Sequence, residues 1–122
     1  MKVSTLMTQP VLEIDENLSA QESAEMMGKA HVGALLVKRG FQNVGIITER
    51  DIMSKTIAMR GDLEKTKAKE IMSTSLVTVD KDMDAEDAVR TMVKSKVRRL
   101  FITDKGKIVG IFTTSDVIKL VQ

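Results

Sequence analysis

Cysteine is absent from all 122 residues, so neither a disulfide framework nor a thiolate metal site exists. That composition fits a reducing cytosol, and a cytoplasmic location is the expectation. Tryptophan and tyrosine are also absent, and phenylalanine occurs only at Phe41, Phe101 and Phe112. Proteins that hold single-stranded nucleic acid lean on aromatic stacking, so this poverty argues against that class. It also means that any bound base must be held by aliphatic side chains and backbone. Histidine occurs once, at His31. No metal-ligand cluster has convincing spacing, and no Ser-His-Asp set with a mechanism can be assembled, so neither a metal nor a catalytic residue is expected. The net charge is only +2, which gives no electrostatic bias towards nucleic acid or a membrane surface. No apolar run approaches a membrane span, and the start, Met1-Lys2-Val3-Ser4-Thr5, does not read as a signal peptide.

What is present is the balance of a soluble globular chain, 43% hydrophobic and 30% charged. The length suits one domain. The nine methionines read as flexible core filler.

The organising feature is an internal repeat. Residues 6–57 align without a gap on 71–122 at a constant offset of 65. The identities include Met7/Met72, Asp15/Asp80, Met27/Met92, Val32/Val97 and Leu35/Leu100. Each unit predicts β-α-β-β-α. A lead-in, Leu6-Met7 or Ile71-Met72, precedes a small strand at Val11–Ile14 or Leu76–Val79. A helix follows, capped by Ser19 with Glu22 three residues on, and in the second copy by Asp84 with Asp87. Strands are expected at Ala34–Val37 and Val44–Ile47, and at Leu100–Ile102 and Ile108–Phe112, each pair joined by a glycine-bearing turn. Gly61 reads as a helix stop, residues 61–70 as a polar connector, 6–60 and 71–122 as the two repeats. His31 is expected in a loop before the first sheet.

The densest match is Gly45-Ile46-Ile47-Thr48-Glu49-Arg50-Asp51 with Gly110-Ile111-Phe112-Thr113-Thr114-Ser115-Asp116. Each reads as a buried strand running into a helix, with Thr at the junction and Asp one turn in. One reading is a capping box, in which Thr and Asp satisfy free helix N–H groups. The other is a ribose-phosphate site, in which helix N–H groups and a Thr hydroxyl face phosphate and the Asp carboxylate accepts from vicinal ribose hydroxyls. The readings coexist, because an ionised Asp has several lone pairs.

These residues resemble a tandem pair of cystathionine-β-synthase (CBS) domains, a Bateman module. The resemblance rests on Leu6-Met7 and Ile71-Met72, on Val97-Arg98-Arg99-Leu100, and on the two Gly-x-x-Thr-x-x-Asp motifs. With no catalytic domain flanking the pair, the chain is similar to the stand-alone CBS-pair proteins. The resemblance implies an α/β (α+β) module of two repeats related by pseudo-twofold symmetry, with clefts between them for adenosine nucleotides such as AMP, ADP or ATP, or for S-adenosylmethionine or a dinucleotide. It implies that Asp holds the ribose hydroxyls and that Thr or Ser meets ribose or phosphate. For one cleft it points to Thr48, Asp51, Ile46, Arg50, Ser73, Leu76 and Val97. For the other it points to Thr113, Ser115, Asp116, Ile111, Thr8, Val11, Val32 and Gly33. Arg98 and Arg99 stand where the first repeat has Gly33 and Ala34, and guanidinium forks suit phosphate oxygens. They are therefore assigned to the second cleft, which is expected to bind the more tightly, with a solvated strand edge as the plain alternative.

The expected function is a regulatory module that senses an adenine nucleotide and passes its state to a partner protein or an oligomer. It would have no enzymatic activity and need no cofactor beyond the regulatory ligand. The resemblance also implies homodimers formed through the helices. The alternative is a ligand-free interaction module in which the Thr–Asp pairs only cap helices.

Overall fold

The structure is a computed structural model and describes residues 1–121; Gln122, the last residue of the expected second repeat, lies outside the described residues. The chain divides into two compact units that are not the two sequence repeats as written. The central unit is Leu12–Leu76. The terminal unit joins Met1–Val11 to the residues from Val77 onward. Each repeat thus exchanges its lead-in segment with the other.

The central unit contains β1 (Glu13–Asp15), α2 (Ala20–Ala30), β2 (Ala34–Arg39), β3 (Gln42–Thr48), α3 (Glu49–Ile52), a π-helical turn (Met53–Ile57) and α4 (Ala68–Ile71). The terminal unit contains α1 (Val3–Leu6), β4 (Thr78–Asp80), α5 (Ala85–Ser95), β5 (Arg99–Asp104), β6 (Lys107–Thr113), α6 (Thr114–Val117) and a 3₁₀ turn (Ile118–Val121). Each unit is a three-stranded mixed sheet. β1 runs parallel to β2 and β2 antiparallel to β3; β4, β5 and β6 repeat the pattern. The expected strands all form, though β1 and β4 start two residues later than Val11 and Leu76. Both hairpins carry an irregularity at matching places, Val37/Lys38 and Ile102/Thr103.

Side chains alternate across a strand. Leu35 and Val37 therefore join the core beneath α2 with Ile47, Met27 and Ile71, and Leu100 and Ile102 join the equivalent core beneath α5 with Phe112 and Met92. Leu36 and Phe101 face the opposite side of their sheets and are also buried. A second matched feature has reversed polarity. Glu16 accepts from Arg39 Nε at 2.6 Å and NH2 at 3.0 Å, and at the same positions of the terminal unit Lys81 pairs with Asp104 at 3.4 Å. The Arg39 guanidinium holds the Glu16 carboxyl below its ordinary value.

The segments beside the exchanged lead-ins satisfy the starts of the long helices. A helix begins with N–H groups that lack intrahelical partners. In α2 the Ala20 and Gln21 N–H groups donate to the Thr66 and Leu63 carbonyls, while Ser19 and Glu22 form the expected reciprocal box. In α5 the Ala85 N–H donates to the Met1 carbonyl and the Glu86 N–H to the Asp84 carboxylate. Asp87 does not close a box as Glu22 does; it pairs with Arg90 instead. Residues 61–70 are accordingly more than a polar connector: Ala68 is fully buried and its N–H donates to the Leu18 carbonyl.

Two expectations about helix ends are corrected. Arg60, not Gly61, takes the left-handed conformation (φ 57°), and the Gly61 N–H reaches back to the Thr56 carbonyl. This places Arg60 at the left-handed position and Gly61 one residue beyond it. His31 is the left-handed cap of α2 (φ 56°) and not a free loop residue; Lys96 caps α5 in the same way (φ 56°).

Candidate functional site

Each Gly-x-x-Thr-x-x-Asp motif lies where its sheet's last strand enters a short helix. The first glycine serves close approach. Ser73 pairs with Ile46 through two hydrogen bonds of 2.8 Å, which carries Met72 and Ser73 across Gly45; a Cβ there would stand 2.7 Å from the Ser73 carbonyl oxygen. In the terminal unit the Thr8 N–H donates to the Ile111 carbonyl at 2.7 Å, the Ile111 N–H returns the bond at 3.1 Å, and Met7 crosses Gly110. The motif glycine and the lead-in segment are therefore one device. It delivers the residue after the lead-in methionine, Ser73 or Thr8, to the motif carboxylate's neighbourhood.

At Asp116, Oδ2 accepts from the Thr113 N–H at 3.0 Å and from the Thr113 hydroxyl at 3.3 Å. The Thr8 hydroxyl lies 3.1 Å from Oδ1 and 3.3 Å from Oδ2, and Lys119 Nζ lies 2.8 Å from Oδ1. Lys119 also donates to the Leu6 carbonyl at 3.1 Å. Burial pushes the Asp116 carboxyl up, but the bonds from Lys119, the Thr113 N–H and Thr8 outweigh it and hold the group below the ordinary aspartate value. Asp116 is thus a buried carboxylate, ionised at neutral pH, with all its lone-pair positions served by its own unit.

At Asp51 the arrangement is looser. Oδ2 accepts from the Thr48 N–H at 2.9 Å and the Thr48 hydroxyl at 3.0 Å, and the Asp51 N–H donates to Thr48 Oγ1 at 3.2 Å. Oδ1 accepts from Lys55 at 3.1 Å, and Lys55 donates to the Ile71 carbonyl at 3.1 Å. The Ser73 hydroxyl accepts from the Ser75 N–H and does not bond Asp51 as Thr8 bonds Asp116. Oδ1 of Asp51 keeps acceptor capacity that Asp116 lacks.

The structure brings together Thr8, Ile111, Thr113 and Asp116 in one unit, and Ser73, Ile46, Thr48 and Asp51 in the other. Val11 and Leu76 follow the lead-ins and are half-buried; Arg50 and Ser115 are exposed on the short helices. Val32 and Gly33 belong to the central unit and Val97 to the terminal unit, each in the unit opposite the motif to which the sequence assigned it. Val32 packs on the central core and Gly33 accepts from the Glu49 N–H; Val97 packs on the terminal core. Arg98 and Arg99 are separated. Arg99 is paired in register with Thr113 and shares its face, whereas Arg98 lines a groove beside Val93 and Thr114. The sequence reading missed Lys119 and Lys55. The signal was there in the spacing, a lysine three or four residues past each motif Asp. Among the described residues no three His, Asp or Glu side chains are grouped to hold a metal ion, and no helix is long and apolar enough to cross a membrane.

Duplicated three-stranded α+β units, each ending in a strand-to-helix turn closed by a carboxylate, define a tandem-repeat module. The CBS domain family model matches the chain twice, over residues 3–57 and 68–122, and the chain belongs to that family. It is 37% identical over 114 residues to the CBS domain-containing protein YhcV of Bacillus subtilis, covering 93% of this chain and 81% of that one. It is 35% identical over 104 residues to the uncharacterized protein MK0525 of Methanopyrus kandleri, covering 84% of this chain but only 53% of that protein. The chain thus spans about half the length of that relative. Among solved structures it resembles the CBS domain pair of protein MJ0100 in complex with 5′-methylthioadenosine and S-adenosyl-L-methionine, with a TM-score of 0.82 and 26% identity over 99% of this chain and 95% of that one. CBS pairs are regulatory, ligand-binding modules.

Proposed function

We propose that the chain is a ligand-sensing module for an adenosine-containing small molecule, with Asp116 and Asp51 as ribose acceptors, and that it performs no catalysis of its own. The observation that carries this reading is the pair of carboxylates, each presented beside a threonine hydroxyl where a strand enters a helix. The likeness to a CBS pair that binds two adenosine-bearing molecules supports the same class. Arg99, in register with Thr113, is the donor suited to phosphate in the terminal unit; Ala34 stands opposite Thr48 in the central one. Phosphorylated ligands therefore favour the terminal motif. A ribose hydroxyl at Oδ1 of Asp116 competes with Lys119, which also holds the Leu6 carbonyl. Ligand occupancy is thereby linked to the anchoring of the lead-in helix, and the shift in state is as large as the ligand's difference in affinity between the two arrangements. The signal passes to a regulated partner in the cytoplasm.

Calorimetric titration of nucleotide-free protein with AMP, ADP, ATP, S-adenosylmethionine and 5′-methylthioadenosine tests this. Saturable binding is expected, weaker for the 2′-deoxy analogues and abolished at one site each by Asp116→Ala and Asp51→Ala. Arg99→Ala should weaken ATP more than adenosine, and Arg98→Ala neither. No heat and no shift in Tm with any of these ligands would refute the reading and leave the Thr–Asp pairs as helix caps.

A further inference from the structure

The two motif carboxylates differ in how many of their acceptor positions are already taken. A carboxylate offers about four lone-pair positions. At Asp116 four donors meet them: the Thr113 N–H, the Thr113 hydroxyl, the Thr8 hydroxyl and the Lys119 ammonium. At Asp51 three do so: the Thr48 N–H, the Thr48 hydroxyl and Lys55. The difference is the lead-in hydroxyl. Thr8 lies 3.1 Å from Oδ1 and 3.3 Å from Oδ2 of Asp116, so its hydroxyl straddles the carboxylate edge that a vicinal diol would use.

The sequence explains why Thr8 and its repeat-mate Ser73 behave differently. Both are pinned to their sheets by paired backbone hydrogen bonds, Thr8 to Ile111 and Ser73 to Ile46. A serine or threonine hydroxyl readily turns to a backbone N–H two residues on. Ser73 does so, its hydroxyl accepting from the Ser75 N–H at 3.5 Å. Two residues after Thr8 stands Pro10, which has no N–H to offer. The Thr8 hydroxyl therefore meets no such local competitor and goes to Asp116. Gln9 secures the same segment, its side-chain amide donating to the Val109 carbonyl at 3.0 Å. Thr74 stands in its place in the central unit.

We propose that Thr8 is a latch on the terminal motif, holding on Asp116 the place of a ribose hydroxyl, and that the two motifs are thereby divided between ligand classes. The central motif takes an unphosphorylated adenosine compound. The terminal motif takes only a phosphorylated one, whose contact with Arg99 offsets the displacement of Thr8. Arg99 has the position for this. It is in register with Thr113 and has no ion-pair partner among the described residues, while Ala34 stands at the matching place of the central unit. The division rests on the reading of both aspartates as ribose acceptors.

Calorimetric titration of the nucleotide-free full chain with 5′-methylthioadenosine and with ATP separates the outcomes. Wild type should bind methylthioadenosine at a single site, lost in Asp51→Ala, which still binds ATP. Thr8→Val keeps the branched shape without the hydroxyl. In the Asp51→Ala background it should tighten methylthioadenosine binding at the terminal motif by about five- to tenfold. Thr8→Ser, which keeps both the hydroxyl and the following Pro10, should leave that binding as weak as before. Far-UV circular dichroism checks that each variant is folded. Methylthioadenosine at two equal sites in wild type, or no gain with Thr8→Val, while ATP still binds, overturns the latch and leaves the ribose reading standing. No binding of either ligand to wild type or to Thr8→Val overturns both.

Discussion

The carboxylates of the two motifs look alike in sequence but differ in what they hold, so Asp116→Ala should destabilise the protein more than Asp51→Ala. Asp116 is 5% exposed and accepts from a backbone N–H, two hydroxyls and an ammonium; Asp51 is 13% exposed and has one hydroxyl fewer. Losing a helix cap costs about 1 kcal/mol, and each lost charge-assisted bond in a buried setting adds about 1 kcal/mol or more. The expected loss is about 3 kcal/mol for Asp116→Ala and about 1–2 kcal/mol for Asp51→Ala, the difference residing in Thr8 and in burial. Tryptophan and tyrosine are absent, so urea unfolding is followed by far-UV circular dichroism, where Cm should shift and m should not. Thr8→Ala provides the check. It should cost about 1 kcal/mol in the wild type and almost nothing in Asp116→Ala, a coupling that a double-mutant cycle reads directly. Acid adds a further arm. The folded pKa of Asp116 lies below the unfolded one, so the unfolded chain binds the proton first. The contribution of Asp116 is complete above the ordinary aspartate value, about 3.9, and is lost as pH falls through the lower folded value. The acid limb should flatten in Asp116→Ala. Equal costs at the two aspartates together with zero coupling to Thr8 would refute the reasoning.

Two further substitutions test the packing around the motifs. Gly45→Ala should cost about 2–3 kcal/mol and Gly110→Ala about 1 kcal/mol, measured by the same unfolding curves. The added Cβ at Gly45 meets the Ser73 backbone as well as Met72, whereas at Gly110 its three nearest atoms all belong to the flexible Met7 side chain. Thr56→Val should be neutral or stabilising by up to about 1 kcal/mol, because Thr56 is fully buried and its hydroxyl has no hydrogen-bond partner; a clear loss of Tm would show that the hydroxyl is used.

The duplication and its strands were legible because they are local: period-two alternation, turn glycines and cap residues act within a few residues. The Thr–Asp contacts were legible for the same reason. The destination of the lead-in segments was not legible in the residues themselves, because nothing within Leu6-Met7-Thr8 says which of two similar sheets it will cross; the grouping of Thr8 with Ile111 and of Ser73 with Ile46 came only from the family resemblance. That choice is made by long-range fit over Gly110 and by the free N–H of Ala85. The separation of Arg98 from Arg99 depends on where the strand begins: β5 starts at Arg99, and Arg98 lies in the bend before it, so the two are not successive residues of one strand. His31 and Lys96 show a different limit. Both helices end in the left-handed region without glycine or asparagine, at a conformational cost that the following sheet must offset.

Lys119 and Lys55 carry the argument furthest, because they are not repeat-mates. Lys119 aligns with Ser54, and Lys55 with Leu120. Nevertheless both bridge a motif carboxylate to the carbonyl that ends a lead-in helix, Leu6 or Ile71. The different spacings match the different helical endings. In the terminal unit the chain tightens into a 3₁₀ turn, where residues three apart eclipse; in the central unit it widens into a π turn, and a lysine four residues on reaches the same place. A device that two diverged copies reach by two registers is not an accident of shared sequence. It follows from a fixed geometric problem: a helix-ending carbonyl and a carboxylate held close together need a cation between them. Duplication supplied the two sites, and each copy closed its own with the lysine that its helix geometry could deliver.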